Sequence, residues 1–477
     1  MIRRLLAMAM ALMMTLRAFA AGLPDLGEVG AGDLSPIAER RVGEQAMREI
    51  RWREQAYVED PEVEDYLTGL GLGLAAHAPA ISQSFSFFAV RDASLNAFAL
   101  PGGFIGVHTG LIVEARSESE LAAVLGHEIA HVTQRHIAQM VGNQGRTGLI
   151  MLASLIVAIL AAGSNSQAAE AAIATGSAAG IQSQLSFSRD FEREADRIGL
   201  QILSQAGFDV RGMSSFFERL QRGSRLYENH APVYMRTHPL TTERIADIEN
   251  RVQSIAYRQV PDSVSFRLVR AKLIAEGGDA HEFETRLKLL DGEAPWVIGY
   301  ARARAELARG RPDAAIEVLA ALGEHPDHAM FRSVMGEALR AAGRWEQAVA
   351  RYEEALTRFP EDRALFYGEA EALLGSGRPA DASALLRTRL ALSEGDVRLW
   401  TLLARARAAE GSSSGRHRAQ AEVYRLQGAL RAAVEQLELA RKAGDADFYE
   451  ASAIDSRMRM LRAELAAERE QARGAGG

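Results

Sequence analysis

Glycines at positions 277, 310, 343, 377 and 411 recur at intervals of 33, 33, 34 and 34 residues, and no other feature constrains the fold of the C-terminal half so tightly. Each sits where a helical pattern ends. An alanine follows three of them by five residues (Ala315, Ala348, Ala382), and a large side chain follows by nine (Leu319, Tyr352, Leu386). Pro326 and Pro360 punctuate the ends of the second helices. Small residues let paired helices approach, and large apolar ones fill the groove to the next pair. A period near 34 residues built this way predicts helix–turn–helix units stacked into a solenoid. Beyond Gly411 the pattern loosens: Ser412-Ser413-Ser414-Gly415 reads as a flexible polar interruption, and the last dozen residues, from Ala466, read as a polar tail.

The 477 residues exceed one ordinary core, so the N-terminal half is expected to fold separately. It mixes helical spacing with short strands, expected over 84–90, 95–100 and 104–108, with Pro101-Gly102-Gly103 as a turn. Helix is expected over Glu118 to Gln139 and Phe187 to Ala206. The composition is globular, with 48% hydrophobic and 25% charged residues. A net charge of −7 and a pI near 6.0 argue against general nucleic-acid binding, which needs clustered positive charge. There is no cysteine, so any metal site must use histidine and carboxylate.

Arg3 and Arg4, the uncharged run Leu5 to Leu16 and Ala18-Phe19-Ala20 have the build of a secretory signal peptide, cleaved before Ala21. The apolar run falls short of the roughly 20 residues of a spanning anchor. A second uncharged run, 147–169, lies between the candidate metal ligands described next. One membrane crossing there would separate ligands of one ion, so the run is expected to form a hydrophobic lid or membrane-surface loop.

His127-Glu128-Ile129-Ala130-His131 places two imidazoles four apart on a helix, about 40° apart around its axis. Both can reach one ion, and zinc suits them. Glu128 beside them can take a proton from water. A third ligand is required, and Glu192-Arg193-Glu194-Ala195-Asp196 supplies the best candidate. Glu192 and Asp196 share a helix face: Glu192 is expected to bind the ion, and Asp196 to accept a hydrogen bond from the far nitrogen of a ligand histidine. Glu194 is expected to point elsewhere. His136 lies about 180° round an unbroken helix from His127 and reads as structural or surface, and His108 has no assigned role. His238, ahead of Pro239, can serve as a fourth ligand or bind a transition-state oxyanion. The stretch Ala97, Phe98, Ala99 and Leu100 can pair with an extended substrate by strand addition.

These segments, with Asn96 to Gly103, Ser188 to Asp196, His238-Pro239 and the C-terminal repeats, resemble the HtpX-like and CAAX-endopeptidase-like gluzincins, and within them the β-barrel assembly-enhancing (BepA-like) subgroup with tetratricopeptide repeats. The resemblance implies that His127, His131 and Glu192 bind one Zn2+, that Glu128 is the general base and that Asp196 lies behind the ligands. It implies that His238 can occupy the open metal position and that Arg244 lies near the site. It further implies degradation of misfolded or stalled outer-membrane proteins in the periplasm, and engagement of the β-barrel assembly machinery through the repeats.

The expected architecture is mainly α with a small β-sheet: a signal peptide at 1–20, a gluzincin-type zinc metallopeptidase domain at 21–262, a tetratricopeptide-repeat α-solenoid at 263–465 and a tail at 466–477. The leading function is a zinc metalloendopeptidase. The competing ones are a repeat-based chaperone or adaptor with a mostly self-inhibited protease site, and an integral membrane protease.

Overall fold

The computed structural model describes residues 35–53, 56–79, 84–144, 188–226, 233–277 and 282–474. The signal peptide and the run 147–169 lie outside the described residues. The chain divides into two compact units, one built mainly from residues up to Val260, the other from Pro261 onward together with 59–66 and 112–114.

Helices α1 (Pro36–Arg53) and α2 (Pro61–Ala75), the latter belonging to the first unit from Leu67 on, precede strands β1 (Ser86–Val90), β2 (Ala97–Leu100) and β3 (Phe104–His108). The sheet order is β1-β3-β2, with β1 parallel and β2 antiparallel to β3. Every residue of β2 and β3 is buried, and Phe88, Phe98, Leu100 and Phe104 pack with Ala46, Met47 and Ile50 of α1. The β2–β3 turn needs Gly102 and Gly103, at φ 76 and 88, where a Cβ would also meet the backbone of Arg40 and Ser84.

Helices α3 (Thr109–Glu114), α4 (Glu118–Thr133), α5 (His136–Gln144), α6 (Arg189–Gln205), α7 (Arg211–Leu226), α8 (Val233–Thr237) and α9 (Thr242–Gln253) follow. A capping arrangement starts α4: the Ser117 hydroxyl accepts from Glu120 N–H, and the Glu120 carboxylate accepts from Arg116 N–H. Ser188 caps α6 and Thr241 caps α9 in the same manner. The helix expected over 118–139 is broken: α4 ends at Thr133, and Arg135 takes a left-handed φ of 55 before α5 begins.

The second unit is helical: α10 (Val264–Glu276), α11 (Phe283–Leu287), α12 (Pro295–Ala308), α13 (Pro312–Ala320), α14 (Ala329–Ala341), α15 (Trp345–Arg358), α16 (Arg363–Gly375), α17 (Pro379–Leu390), α18 (Val397–Ala409), α19 (Ser413–Leu426), α20 (Leu430–Ala443) and α21 (Phe448–Gly474). Gly310, Gly343, Gly377 and Gly411 end first helices in the left-handed conformation, the geometry only glycine enters freely. Ala315, Ala348 and Ala382 are fully buried, and Tyr352 fills the space beside Gly336 and Gly368, where a Cβ would run into its ring.

One expectation needs correction. Ser412-Ser413-Ser414-Gly415 is no flexible interruption: Ser412 caps α19, Ser414 and Gly415 are buried, and Asp445 accepts from the Ser413 and Ser414 N–H groups. Serine favours helix N-termini as much as loops, and here the first property wins. The segment expected as a polar tail from 466 continues α21, which runs on to Gly474.

Candidate metal centre

Two glycines explain how the motif helices meet. Gly126 of α4 faces Gly199 of α6, and a Cβ on Gly199 would lie 3.0 Å from His127 N and 3.1 Å from Gly126 C. The backbones therefore cross in direct contact. His127 and His131 on α4 and Glu192 on α6 consequently project into one space, and His238, just after α8, completes it.

One ligand atom from each of His127, His131, Glu192 and His238 lies within 4.8 Å of the others, and all four residues are buried. His131 Nε2 is 3.0 Å from His127 Nε2, and His127 Nε2 is 3.3 Å from His238 Nδ1. Glu192 Oε1 stands 3.0 Å from His238 Nδ1 and 3.4 Å from His131 Nε2. Imidazole nitrogens turned on one another in a dry pocket bring lone pairs together, which a shared cation relieves. Three nitrogens and one carboxylate at this spacing fit a single borderline ion such as zinc.

Glu128 is fully buried, and neither of its oxygens makes an aligned side-chain hydrogen bond among the described residues. Its Oε1 lies 3.4 Å from His238 Nε2. Burial pushes its carboxyl up, while His238, His127 and the Ala99 backbone N–H hold part of that rise back. Burial also opposes ionisation of Glu192, but the three histidines around it outweigh this and hold it well below the usual carboxylate range.

Behind the ligands, His127 Nδ1 lies 3.0 Å from Asp196 Oδ1. Burial disfavours a charged His127, yet Asp196 and Glu192 raise its pKa to about 9. Arg244 of α9 grips Asp196 with two hydrogen bonds, Nε to Oδ2 at 2.7 Å and Nη2 to Oδ1 at 2.8 Å. Its Nη1 reaches Glu192 Oε2 at 2.6 Å and donates to the Pro239 carbonyl at 2.9 Å. The guanidinium is thus occupied by the site's own walls.

Sequence reasoning missed three participants. His136 is buried and its Nδ1 lies 2.9 Å from His131 Nδ1, because the break at Arg135 turns it back toward the site. His136 Nε2 faces Glu194 Oε2 at 3.4 Å, so Glu194 meets the site's outer layer rather than pointing away. Tyr234 is buried and stacks on His238 with ring centroids 4.6 Å apart. A tyrosine four residues before a histidine in a helical stretch is the signal that was available. His108 is buried too, with Ser94 and Asn96 at its ring nitrogens, and it steadies the loop entering β2.

Residues 61–252 match peptidase family M48, and residues 300–363 and 339–406 match tetratricopeptide-repeat families. The chain is 35% identical over 412 residues to the putative beta-barrel assembly-enhancing protease of Vibrio cholerae, spanning 85% of each chain. It belongs to peptidase family M48. Other relatives are proteases too: the beta-barrel assembly-enhancing protease of Escherichia coli K12 is 31% identical over 451 residues, 92% of this chain and 91% of that one. The mitochondrial metalloendopeptidase OMA1 of Arabidopsis thaliana is 31% identical over 220 residues, 45% of this chain and 42% of that one. This M48 protein is therefore a metallopeptidase with a tetratricopeptide-repeat region.

Proposed function

We propose that the chain is a periplasmic zinc-dependent endopeptidase that cleaves misfolded or stalled outer-membrane proteins, with its repeats holding clients or parts of the β-barrel assembly machinery. The convergence of His127, His131, Glu192 and His238 carries the catalytic part of this reading. The names of the relatives support the setting. Among the described residues no helix is long and apolar enough to cross a membrane.

His127, His131 and Glu192 would hold the ion, which when bound acts as a Lewis acid that acidifies water and polarises a carbonyl. Glu128, fully buried beside the ligand histidines with Oε1 3.4 Å from His238 Nε2, is the base: it takes the proton of the attacking water and passes it to the leaving amine. Asp196 orients His127, and Arg244 positions Asp196 and Glu192. The client chain would lie against β2. His108 N–H donates to Asn96 O, so the alternation of an antiparallel pair turns the N–H and C=O of Ala97 and the C=O of Ala99 away from β3 toward a client, while the Ala99 N–H faces Glu128. Phe98 and Leu100 bond inward and hold the strand. Recognition through backbone groups suits unfolded clients of varied sequence.

One observation favours a second reading, a repeat-based adaptor with a mostly closed site. His238 sits against Glu192, His127 and Glu128 at once, where an attacking water would have to enter. Casein cleavage and metal content of the wild type, Glu128→Gln and His238→Ala decide between the two. The endopeptidase reading expects about one metal per chain and a loss of cleavage on the order of 100-fold or more in Glu128→Gln. A faster His238→Ala marks a closed resting site. Wild-type material without stoichiometric metal, or full cleavage by Glu128→Gln, removes the proposal.

A further inference from the structure

His131 presents Nε2 to the other donors, and its second ring nitrogen faces another ring. His131 Nδ1 and His136 Nδ1 are 2.9 Å apart. The His136 ring is fully buried and lies flat on Phe191, with centroids 4.4 Å apart and an interplanar angle of 14°. Its Nε2 faces Glu194 Oε2 at 3.4 Å. Arg135 makes this possible as the one non-glycine residue at positive φ among the described residues. Such a conformation carries an energetic cost and persists only where the surroundings enforce it.

Hydrogen-bond logic fixes the direction of the contact. Two facing Nδ1 atoms share one proton. His131 must keep Nε2 bare to act as a ligand, and a neutral imidazole with bare Nε2 carries its proton on Nδ1. His131 Nδ1–H therefore donates, His136 Nδ1 accepts, and the His136 proton sits on Nε2 toward Glu194. We infer that His136 is a positioning residue that locks His131 in its metal-binding tautomer, with Glu194 holding His136 in turn. The two ligand histidines are then oriented by unlike groups: His127 by the carboxylate of Asp196, His131 by a neutral ring.

This inference rests on the metal reading of the site. If that reading fails, the wild type binds no metal; if this inference fails, only the ranking of variants changes. The test uses the full chain stripped of metal, with zinc affinity measured by competition against a chromophoric chelator. His136→Leu is expected to bind zinc about 10- to 100-fold more weakly. His136→Asn has nearly the shape of leucine but puts a carbonyl oxygen where Nδ1 stood, and is expected within about threefold of wild type. A packing role predicts the opposite ranking, since leucine is the better buried of the two. Wild-type affinity in His136→Leu, or equal losses in both variants, overturns the inference. Should circular dichroism show both variants unfolded, Glu194→Ala gives the answer, because that side chain is 41% exposed and can be removed without disturbing the core. Its zinc affinity is expected to fall about two- to tenfold, and no change counts against the inference.

Discussion

Replacing Gly199 by alanine tests the crossing that lets α4 and α6 share an ion. The new Cβ would lie 3.0 Å from His127 N and 3.1 Å from both Gly126 C and His127 Cα. All three are backbone atoms inside a hydrogen-bonded helix, so no side chain can swing aside. Carbon contacts settle at about 3.5–4.0 Å, so the helices must part by roughly 0.5 Å. The parting falls between His127 Nε2 and Glu192 Oε2, now 3.5 Å apart, whereas metal–ligand distances tolerate only about 0.2 Å. Overpacking costs about 1–3 kcal/mol, and the better helix propensity of alanine returns about 1 kcal/mol. Net stability is therefore expected to fall by only about 0–2 kcal/mol, while zinc affinity falls about tenfold, the equivalent of about 1.4 kcal/mol. Gly73→Ala is the control: its Cβ would meet nothing within 4 Å, so it should gain about 1 kcal/mol and leave affinity unchanged. Chelator competition and thermal unfolding on both variants read these values. A Gly199→Ala protein that behaves like Gly73→Ala, stabilised and binding zinc as before, would refute the reasoning.

Other consequences are open to direct measurement. In the second unit, burial and Glu353 push the Glu369 pKa up to about 7 against the pull of Arg389 and Arg378. The folded state then keeps a proton that the unfolded chain loses near about pH 4.3; the associated stability is complete below that pH and is lost as pH rises through about 7. After allowance for solvent screening, Glu369→Gln is expected to gain about 1 kcal/mol at pH 8 and nothing near pH 4 in urea unfolding. Tyr352→Ala empties the space beside Gly336 and Gly368 and is expected to cost the second unit about 3–5 kcal/mol. Ser412→Ala removes the cap of α19 and should cost about 1 kcal/mol by the same assay; no change would restore the view of 412–415 as a loop.

Periodic features were the legible ones. The glycine spacing located the repeats because a left-handed helix end, taken by Gly310, Gly343, Gly377 and Gly411 though not by the extended Gly277, admits few other residues, and the spacing of His127 and His131 fixed a shared face because a helix has one pitch. The residues that surround the centre were harder to see. His136 was placed on the far side by extending a helix that ends at Thr133, and an arginine at positive φ leaves no mark in sequence. Gly126 and Gly199 look like weak points in their helices until the crossing shows that a Cβ on either would press on the other helix's backbone, at 3.2 Å from Gly126 and 3.0 Å from Gly199. Ser412 to Gly415 carried a signal with two meanings, and Asp445, 31 and 32 residues away, is what selects the helical one.

The donors of the centre come from distant parts of the chain: His127 meets His238 across 111 positions and Glu192 meets it across 46. A newly made polypeptide can offer an ion no more than the neighbouring pair on α4. Full-strength capture must wait until three separate helices have docked, so a polypeptide whose first unit is still unfolded has no means of cleaving its surroundings.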